Sequence, residues 1–376
     1  MHNKHIHIIS FDIPFPANYG GVIDVFYKIK ALFNKGIKIH LHCFLYGNRK
    51  PSEDLAQYCE TVHYYNRTKG LSAGFSIKPY IVKSRSSKQL LKKLLKDDYP
   101  ILFEGIHSCY HLKNKKLKTR LKIYRESNIE HHYYYHLCLA SRNIFKKLFY
   151  FSESIKLLRY QSILKHANIM LAVSKMDEQY LKCRFPQNKI YHLPCFHGNE
   201  TVSSQPSKGY YALYHGKLSV EENEKVAIYL IKEVFDKINY PLIIAGENPS
   251  KYLIKLQASN PKVQLIANPS ETEMFDLVQN AQINLMLTFQ ATGLKLKLLN
   301  SLYQGKFCIC NTNMLSGSPL PAVCSIADTT EELKKEIMRL SKETFSQQHF
   351  EKQKKYLEEY FSITKNTKQL LTYLTR

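Results

Sequence analysis

The chain lacks tryptophan and is poor in glycine and proline, with 14 of each among its 376 residues. Collagen-like repeats and low-complexity disorder are excluded, because both need more glycine or proline, whereas 44% of these positions are hydrophobic. Nowhere do about 18 apolar residues follow one another, the length that a membrane-spanning helix needs. We therefore expect a soluble globular protein, long enough for two domains.

Several motifs are missing as well. The nine cysteines include no Cys-x-x-Cys pair, and the N-terminus has no apolar run of the kind found in signal peptides. Reduced thiols and the cytoplasm are the expectation, with any membrane contact peripheral, at the inner face of the plasma membrane. Neither a Gly-x-Gly-x-x-Gly fingerprint nor a Walker A sequence occurs, which argues against an ordinary dehydrogenase or P-loop enzyme.

Acidic residues are scarce relative to basic ones. Lys and Arg number 54 against 31 Asp and Glu, a net charge of +23, and residues 1–200 hold 33 of the basic and 14 of the acidic residues. A basic first half can attract nucleic acid, anionic lipid or a phosphorylated substrate, and charge alone does not choose among them. Lysines on solvated faces are the alternative.

Short apolar runs alternate with amphipathic segments through the first half. Strands are predicted at His5–Ser10, Ile37–Leu45, Ile101–Phe103, Leu121–Tyr124 and Ile169–Val173. Apolar residues recur at helical spacing between the first two runs and stop before Gly36, as a helix would. This β-α-β alternation predicts a parallel sheet with helices on its faces.

A polar, turn-rich stretch between Pro194 and Gly209 marks the predicted domain boundary, and the alternation then restarts. Further strands are predicted at Tyr211–His215, Leu242–Ala245, Val263–Ile266 and Ile283–Phe289, a helix at Glu271–Asn280, and helix again over Gln347–Leu374. The fold class is therefore α/β, with two doubly wound, Rossmann-like domains. They cover residues 1–198 and 209–345.

Glycines and lysines stand where the chain leaves predicted strands, the place at which parallel sheets bind ligands. Gly20 and Gly21 open the first helix, and Gly216 and Lys217 follow a strand. Two lysines begin the helix of the segment TGLKLKLLN, where their charges oppose the helix macrodipole unless an anion is bound. These patterns favour a diphosphate site. Ordinary turns and solvated lysines are the alternative.

Polar side chains follow two strands of the first half. Asn128, Glu130 and His131 come after one strand, and Glu104 and His107 after another. Because the ends of neighbouring parallel strands converge, these groups are expected to line one crevice, for sugar hydroxyls or proton transfer. The histidine spacing matches no zinc motif, and no metal site is predicted.

The segment from Arg142 to Lys165 interleaves apolar residues with lysines. Such a composition permits docking on anionic lipid. A domain helix with a basic outer face has the same composition.

Taken in order, six segments resemble the GT-B-fold retaining glycosyltransferases of the glycogen-synthase-like group, especially bacterial cell-surface polysaccharide enzymes. They are PFPANYGG, FEGIHSC, YRESNIEHHYY, YHGKLSVEENEK, LIIAGENP and TGLKLKLLNSLYQGK. The resemblance implies two Rossmann-like domains facing a central cleft, the first for the acceptor and the second for a nucleotide-sugar donor. It also implies that the C-terminal helix, residues 346–376, crosses back to the first domain.

The resemblance assigns phosphate contacts. Lys217 stands where the family has a phosphate-binding arginine, whereas the family's second basic position falls on Glu222. Lys295 or Lys297 would then supply the missing charge. The donor-binding residues implied in this way are Gly20, Gly21, Gly216, Lys217, Gly246, Thr292, Gly293, Lys295, Lys297 and Asn300.

Two departures concern sugar and ribose contacts. The family's paired glutamates fall on Thr292 and Asn300, of which Asn300 can still bond a ribose hydroxyl. The family's active-site histidine falls near Ser127. The predicted catalytic or sugar-contacting residues are Glu104, His107, Asn128, Glu130 and His131.

The implied function is transfer of a hexose from a nucleotide-diphosphate sugar to a glycan or lipid-linked saccharide, with retention and in cell-surface polysaccharide synthesis. No cofactor is expected, and no Asp-x-Asp sequence occurs, as in metal-independent members. A partner surface of anionic membrane is a further expectation, whereas no specific nucleic acid is expected. The rival functions are a polyanion- or nucleic-acid-binding protein, a GT-B-fold sugar-nucleotide epimerase and an inactive partner subunit.

Overall fold

The computed structural model describes residues 5–47, 49–68, 76–141, 143–289, 296–315 and 320–374. The chain divides into two compact units. Unit 1 contains residues 1–198 and 363–376, and unit 2 contains residues 199–362. The division after residue 198 falls inside the polar, turn-rich stretch of the sequence.

Unit 1 is built on a seven-stranded sheet in which all paired strands are parallel. Its strands are β1 (His5–Ser10), β2 (Lys38–Leu45), β3 (Thr61–Asn66), β4 (Ile101–Glu104), β5 (Lys122–Arg125), β6 (Ile169–Ala172) and β7 (Lys189–His192). The spatial order is β3-β2-β1-β4-β5-β6-β7. The strand order reverses between β1 and β4, which is the doubly wound arrangement.

Helices cover both faces of this sheet. They are α1 (Gly20–Phe33), α2 (Tyr80–Lys83), α3 (Lys88–Leu94), α4 (Glu130–Ala140), α5 (Ile144–Tyr160) and α6 (Lys175–Arg184). Consecutive strand residues point to opposite faces, so that Ile8 belongs to one apolar cluster with α1, and Ile9 to another that reaches α5. The near-continuous apolar runs of the central strands follow from burial on both sides.

Unit 2 contains a second parallel sheet, of six strands in the order β10-β9-β8-β11-β12-β13. The strands are β8 (Ala212–His215), β9 (Leu242–Gly246), β10 (Val263–Ala267), β11 (Ile283–Met286), β12 (Phe307–Cys310) and β13 (Ser325–Ile326). The helices are α7 (Glu221–Tyr229), α8 (Lys251–Ala258), α9 (Glu271–Asn280), α10 (Leu296–Gln304), α11 (Thr312–Leu315), α12 (Thr330–Leu340) and α13 (Gln347–Tyr360). Complete capping boxes begin α9 and α12.

The C-terminal stretch, predicted as one helix, consists of two. Helix α13 ends at Tyr360, the backbone of the next residue, Phe361, leaves the helical region at φ −126° and ψ 12°, and α14 (Ile363–Leu374) follows. The first helix belongs to unit 2, where the Gln353 amide donates to the Leu302 carbonyl at 2.6 Å. Only α14 belongs to unit 1, and its Leu370 and Tyr373 join the apolar cluster that contains α1.

Within the described part of the chain, none of the helices combines the length and the apolar content that crossing a bilayer requires.

Candidate functional site

The carboxyl-end edge of the unit 1 sheet gathers the polar side chains predicted from the sequence. Strands β1, β4 and β5 are neighbours, and Glu104 at the end of β4 lies opposite Arg125 at the end of β5. The residues that follow these strands therefore lie near one another, as convergent strand ends require.

Glu104 belongs to a buried ion network. Both of its carboxylate oxygens accept hydrogen bonds from the Lys28 ammonium, at 2.8 and 2.9 Å, and Lys28 also reaches Asp24 at 2.9 Å. Arg125 pairs with the other side of Asp24 at 3.1 Å. Burial alone would raise the pKa of Asp24, but Arg125 and Lys28 outweigh it and hold that pKa below its ordinary value. The network fixes α1 against the ends of β4 and β5.

Four of the residues after β5 line one small cavity. They are Glu126, Asn128, Glu130 and His131. Glu126 accepts hydrogen bonds from the Tyr124 hydroxyl at 2.7 Å and from the backbone N–H of Asn128 at 3.1 Å. These bonds shape the loop that carries Asn128 and the start of α4.

Glu130 is the carboxyl group of this cavity that has no hydrogen-bond partner among the described residues. It is 7% exposed, and burial raises its pKa to about 8, against the opposing charge of Arg85. Glu130 is therefore largely a neutral acid at pH 7, able to donate a hydrogen bond or release a proton near pH 8. Burial lowers the pKa of the adjacent His131 to about 4, so its imidazole is neutral.

His107 packs on Phe11, the residue that follows β1, with 5.2 Å between ring centroids. Its Nδ1 is buried and has no partner among the described residues. Burial and the nearby Arg85 hold the pKa of His107 well below its ordinary value. The neutral ring therefore has a buried nitrogen that makes no hydrogen bond within the described residues.

Two glycines allow this packing around Phe11. A Cβ on Gly21 would lie 2.7 Å from Cζ of Phe11, and one on Gly105 would lie 3.0 Å from Nδ1 of His107. Gly105 also has φ +67°, which other residues rarely adopt. Gly20 begins α1, whose N-cap residue Tyr19 makes no side-chain cap.

In unit 2, the turn after β8 packs directly on the end of β9. A Cβ on Gly246 would lie 1.8 Å from the Gly216 carbonyl oxygen, so no side chain fits there. The Gly216 N–H donates to the Ala245 carbonyl at 3.1 Å, and the Leu218 N–H donates to the Glu247 carbonyl at 2.9 Å. Gly246 thereby sets the position of the Gly216 turn.

The Lys297 ammonium lies at this turn. It stands 4.2 Å from the ring centroid of Tyr214 and 3.4 Å from the position that a Cβ on Gly216 would occupy. No described carboxylate forms an ion pair with it, and burial lowers its pKa to about 7, although Glu222 opposes this shift. A partly desolvated cation without an ion pair gains more from an anionic ligand than a solvated lysine does.

The neighbouring predicted donor residues have other contacts. Lys217 is 60% exposed and lies 3.6 Å from Glu247. The side-chain amide of Asn199 donates to Oδ1 of Asn300 at 2.7 Å. Glu222 accepts a hydrogen bond from the Thr288 hydroxyl. Three further predicted residues, Thr292, Gly293 and Lys295, lie outside the described residues.

Asp24, Lys28 and Glu126 were not predicted as site residues from the sequence. Asp24 and Lys28 have the i, i+4 spacing of a surface pair, and nothing local shows that they are buried. Glu126 follows Arg125 within the segment already singled out, so its position alone could have identified it. Among residues of the described ranges, no group of three or more His, Cys, Asp or Glu side chains could hold a metal ion.

This chain was compared with protein families, curated proteins and solved structures. No protein-family model matches the sequence. A curated protein of Klebsiella pneumoniae, described as an uncharacterized 44.6 kDa protein in cps region, is 27% identical over 326 residues, which cover 80% of this chain and 81% of that protein.

Solved structures match almost the whole chain at low sequence identity. Sucrose-phosphate synthase from Thermosynechococcus elongatus has a TM-score of 0.71 at 13% identity, covering 98% of this chain and 97% of its own. A variant of TarM from S. aureus, in complex with fondaparinux, alpha-GlcNAc-glycerol and UDP, has a TM-score of 0.67 at 11% identity, covering 99% and 100%. HepE of Anabaena, in complex with UDP-glucose, has a TM-score of 0.67 at 9% identity, covering 98% and 99%.

The expected architecture is thus confirmed by the two parallel sheets and by matches that extend across both units. The chain has the GT-B fold, with two Rossmann-like domains.

Proposed function

We propose that this protein is a glycosyltransferase that moves a hexose from a nucleotide-diphosphate sugar to a glycan or lipid-linked saccharide. The observation that carries the proposal is Lys297, a half-buried lysine whose ammonium lies beside the Gly216 turn and forms no ion pair with a carboxylate in the described ranges. That turn follows the carboxyl end of β8, and the strand order of the sheet reverses between β8 and β11, the kind of position at which open α/β sheets bind nucleotides.

The donor diphosphate is the anion that this arrangement fits. When the bond from the sugar to the diphosphate breaks, negative charge builds up on the leaving oxygen and the sugar becomes oxocarbenium-like. Lys297 and the backbone of the Gly216 turn would stabilise that charge in place of a metal ion. Lys217 and Lys295 remain predicted contributors, and Asn300 a predicted ribose contact. The reaction is proposed to proceed with retention, and we assign no enzymatic nucleophile.

The acceptor is proposed to bind at the carboxyl-end edge of unit 1. Glu130 and His107 are both uncharged near pH 7 and each has an unpartnered polar atom among the described residues, so they can bond sugar hydroxyls without a charge to compensate. Asn128 and His131 line the same cavity as Glu130. Glu104, held by Lys28, would act by positioning these strand ends.

The comparisons support this function. The solved structures with the same fold include complexes with UDP and UDP-glucose. The curated relative belongs to a cps region, which agrees with a role in cell-surface polysaccharide synthesis.

Thermal unfolding with added ligands tests the donor site. The wild type, Lys297→Met and Lys225→Met are heated with UDP, GDP, CMP and duplex DNA, at low and moderate salt. Methionine keeps the stem over Tyr214 but removes the charge, and Lys225, paired with Glu221 on the surface of α7, is the matched control. A ligand at about a hundred times its dissociation constant should add roughly 2.7 kcal/mol of stability.

We expect one nucleoside diphosphate to stabilise the wild type and Lys225→Met, and to act weakly on Lys297→Met. Stabilisation by DNA alone, disappearing with salt, would instead indicate a polyanion-binding protein. Release of free nucleotide diphosphate only when acceptor is present then separates a transferase from an epimerase or an inactive subunit.

A further inference from the structure

The outer side of α4 and α5 carries most of the large apolar side chains that are exposed in the described part of unit 1. Phe145 is 79% exposed, and Ile144 and Leu148 are each 60% exposed. Large apolar side chains continue along both helices at Tyr133, Tyr135, Leu139, Phe149, Phe151, Ile155 and Leu158. We call this set of ten side chains the hairpin surface. Monomeric proteins seldom expose so many large apolar side chains together.

The inner side of the same hairpin is anchored in unit 1. Leu157 is buried in the core, and the Ser154 hydroxyl donates to the His131 carbonyl at 2.8 Å. The Glu153 carboxylate accepts from the backbone N–H of Tyr80 at 2.6 Å. The core of unit 1 is therefore packed against a different side of α5, and the apolar outer side is not needed for that packing.

The charge of the hairpin surface has one sign. Lys146, Lys147 and Arg159 are exposed on α5, whereas Glu153 and Glu130, which are the acidic residues of the two helices, are both buried. Lysines next to exposed phenylalanines and leucines are the composition of helices that lie in the interface of an anionic bilayer. Each basic residue near such a surface adds attraction.

We propose that the hairpin surface docks unit 1 on an anionic lipid bilayer. The apolar side chains around Phe145 enter the boundary between headgroups and acyl chains, and the lysines contact acidic headgroups. A second copy of the chain fits less well, since two facing surfaces of this kind would bring lysines together. The segment Arg142–Lys165 thus includes a domain helix with a basic exposed side, as one interpretation of the sequence has it, and the apolar side chains on that side favour the docking interpretation as well.

Vesicle flotation tests the docking. The full chain is mixed with vesicles of phosphatidylcholine alone, or of phosphatidylcholine with an equal amount of phosphatidylglycerol. Wild type is compared with Phe145→Ser/Leu148→Ser and with Lys146→Glu/Lys147→Glu. The matched control is Lys115→Glu/Lys116→Glu, an exposed lysine pair before β5, at the amino-end edge of the sheet.

We expect wild type and the Lys115/Lys116 control to float with the anionic vesicles only. The charge reversal at Lys146 and Lys147 should lower the partition coefficient by about tenfold or more. The serine variant should lose binding even at low salt, where charge attraction is strongest. Because all four substituted positions are exposed, unchanged thermal unfolding confirms that each variant is folded.

Because the chain lacks tryptophan, the fluorescence of an introduced indole gives a second test of the docking. Phe145→Trp would carry the only indole of the chain, and its emission should shift to shorter wavelength with anionic vesicles. Phe33→Trp on α1, which covers the other face of the sheet, should not shift.

Equal flotation of wild type and both hairpin variants, or no flotation of wild type, would overturn the proposal. So would a dimer of the wild type in solution that the serine variant converts to a monomer, since the occupant would then be a second copy. Flotation needs no sugar transfer, so its outcome is independent of the proposed enzymatic function.

Discussion

The charge state of Lys297 should determine how the affinity for a nucleoside diphosphate changes with pH. Its pKa of about 7 in the free protein means that the ammonium loses its proton just above neutrality, whereas a bound diphosphate would raise that pKa. Donor affinity should therefore be full below pH 7 and fall as the pH rises. Between about pH 7 and pH 9, UDP affinity measured by calorimetry should drop by up to about tenfold per pH unit.

Lys297→Arg is the matched variant, because arginine stays protonated throughout this range. Its affinity for UDP should be independent of pH. A flat profile in the wild type, or equal slopes in both proteins, would mean that Lys297 does not contact the diphosphate.

The free energy of unfolding should depend on pH through the titration of Glu130. Its folded pKa of about 8 lies above the ordinary value of 4.5, so its contribution is fully present below pH 4.5 and is lost as the pH rises towards 8. Glu130→Gln removes this loss and should be more stable than wild type at pH 7, by roughly 1 to 3 kcal/mol, and no more stable at pH 4. Urea unfolding at both pH values measures the difference.

Glu53→Gln, at an exposed position, serves as the control for Glu130 and should change stability equally at both pH values. If Glu130→Gln behaved in the same way as this control, the carboxyl group of Glu130 would have to be ionised and solvated.

At the scale of elements, the contact between the ends of β8 and β9 should depend more on Gly246 than on Gly216. A Cβ on Gly246 meets the backbone oxygen of Gly216 at 1.8 Å, whereas a Cβ on Gly216 meets only the flexible ends of Asn223 and Lys297, at 3.3 and 3.4 Å. Gly246→Ala should therefore cost about 2 to 4 kcal/mol of stability. Gly216→Ala should unfold near the wild-type temperature but bind UDP weakly, because its methyl group would occupy the space between the turn and the Lys297 ammonium. Equal thermal stability of the two variants would contradict this.

The elements also show how far the sequence predicts the fold. The central strands were found because burial on both faces makes them continuous apolar runs, as at Ile101–Glu104. The strands Thr61–Asn66 and Lys189–His192 were missed, since each is the outer strand of the sheet and its side chains are half-exposed and polar. Edge strands carry little of the pattern on which sequence analysis relies.

Some features of the candidate site are likewise visible in the local sequence, and others depend on residues far apart in the chain. Glycines and polar residues at strand ends, such as Gly246 and Glu130, are local signals, and the sequence shows them directly. The pairing of Lys28 with Glu104 joins residues far apart in the chain, so no local pattern reveals that both are buried. The approach of Lys297 to the Gly216 turn is equally non-local, and the sequence alone left the choice between Lys295 and Lys297 open.

At the scale of the whole molecule, the chain leaves unit 1 after residue 198 and returns at residue 363. Helix α14 completes the core of unit 1 there, with the ring of Tyr373 stacked on Tyr191 at 4.7 Å between centroids. The last residues of the sequence thus stabilise the unit formed by the first.

Tyr373→Ala should consequently lower the stability of unit 1 by about 2 to 4 kcal/mol, because it removes a buried ring. Lys368→Ala, an exposed position on the same helix, is the control and should change little. Calorimetry with UDP separates the units, since a ligand of unit 2 shifts only the transition of unit 2. In Tyr373→Ala the transition that UDP leaves unshifted should move to lower temperature. Movement of the UDP-sensitive transition alone would mean that the C-terminal helix supports unit 2 instead.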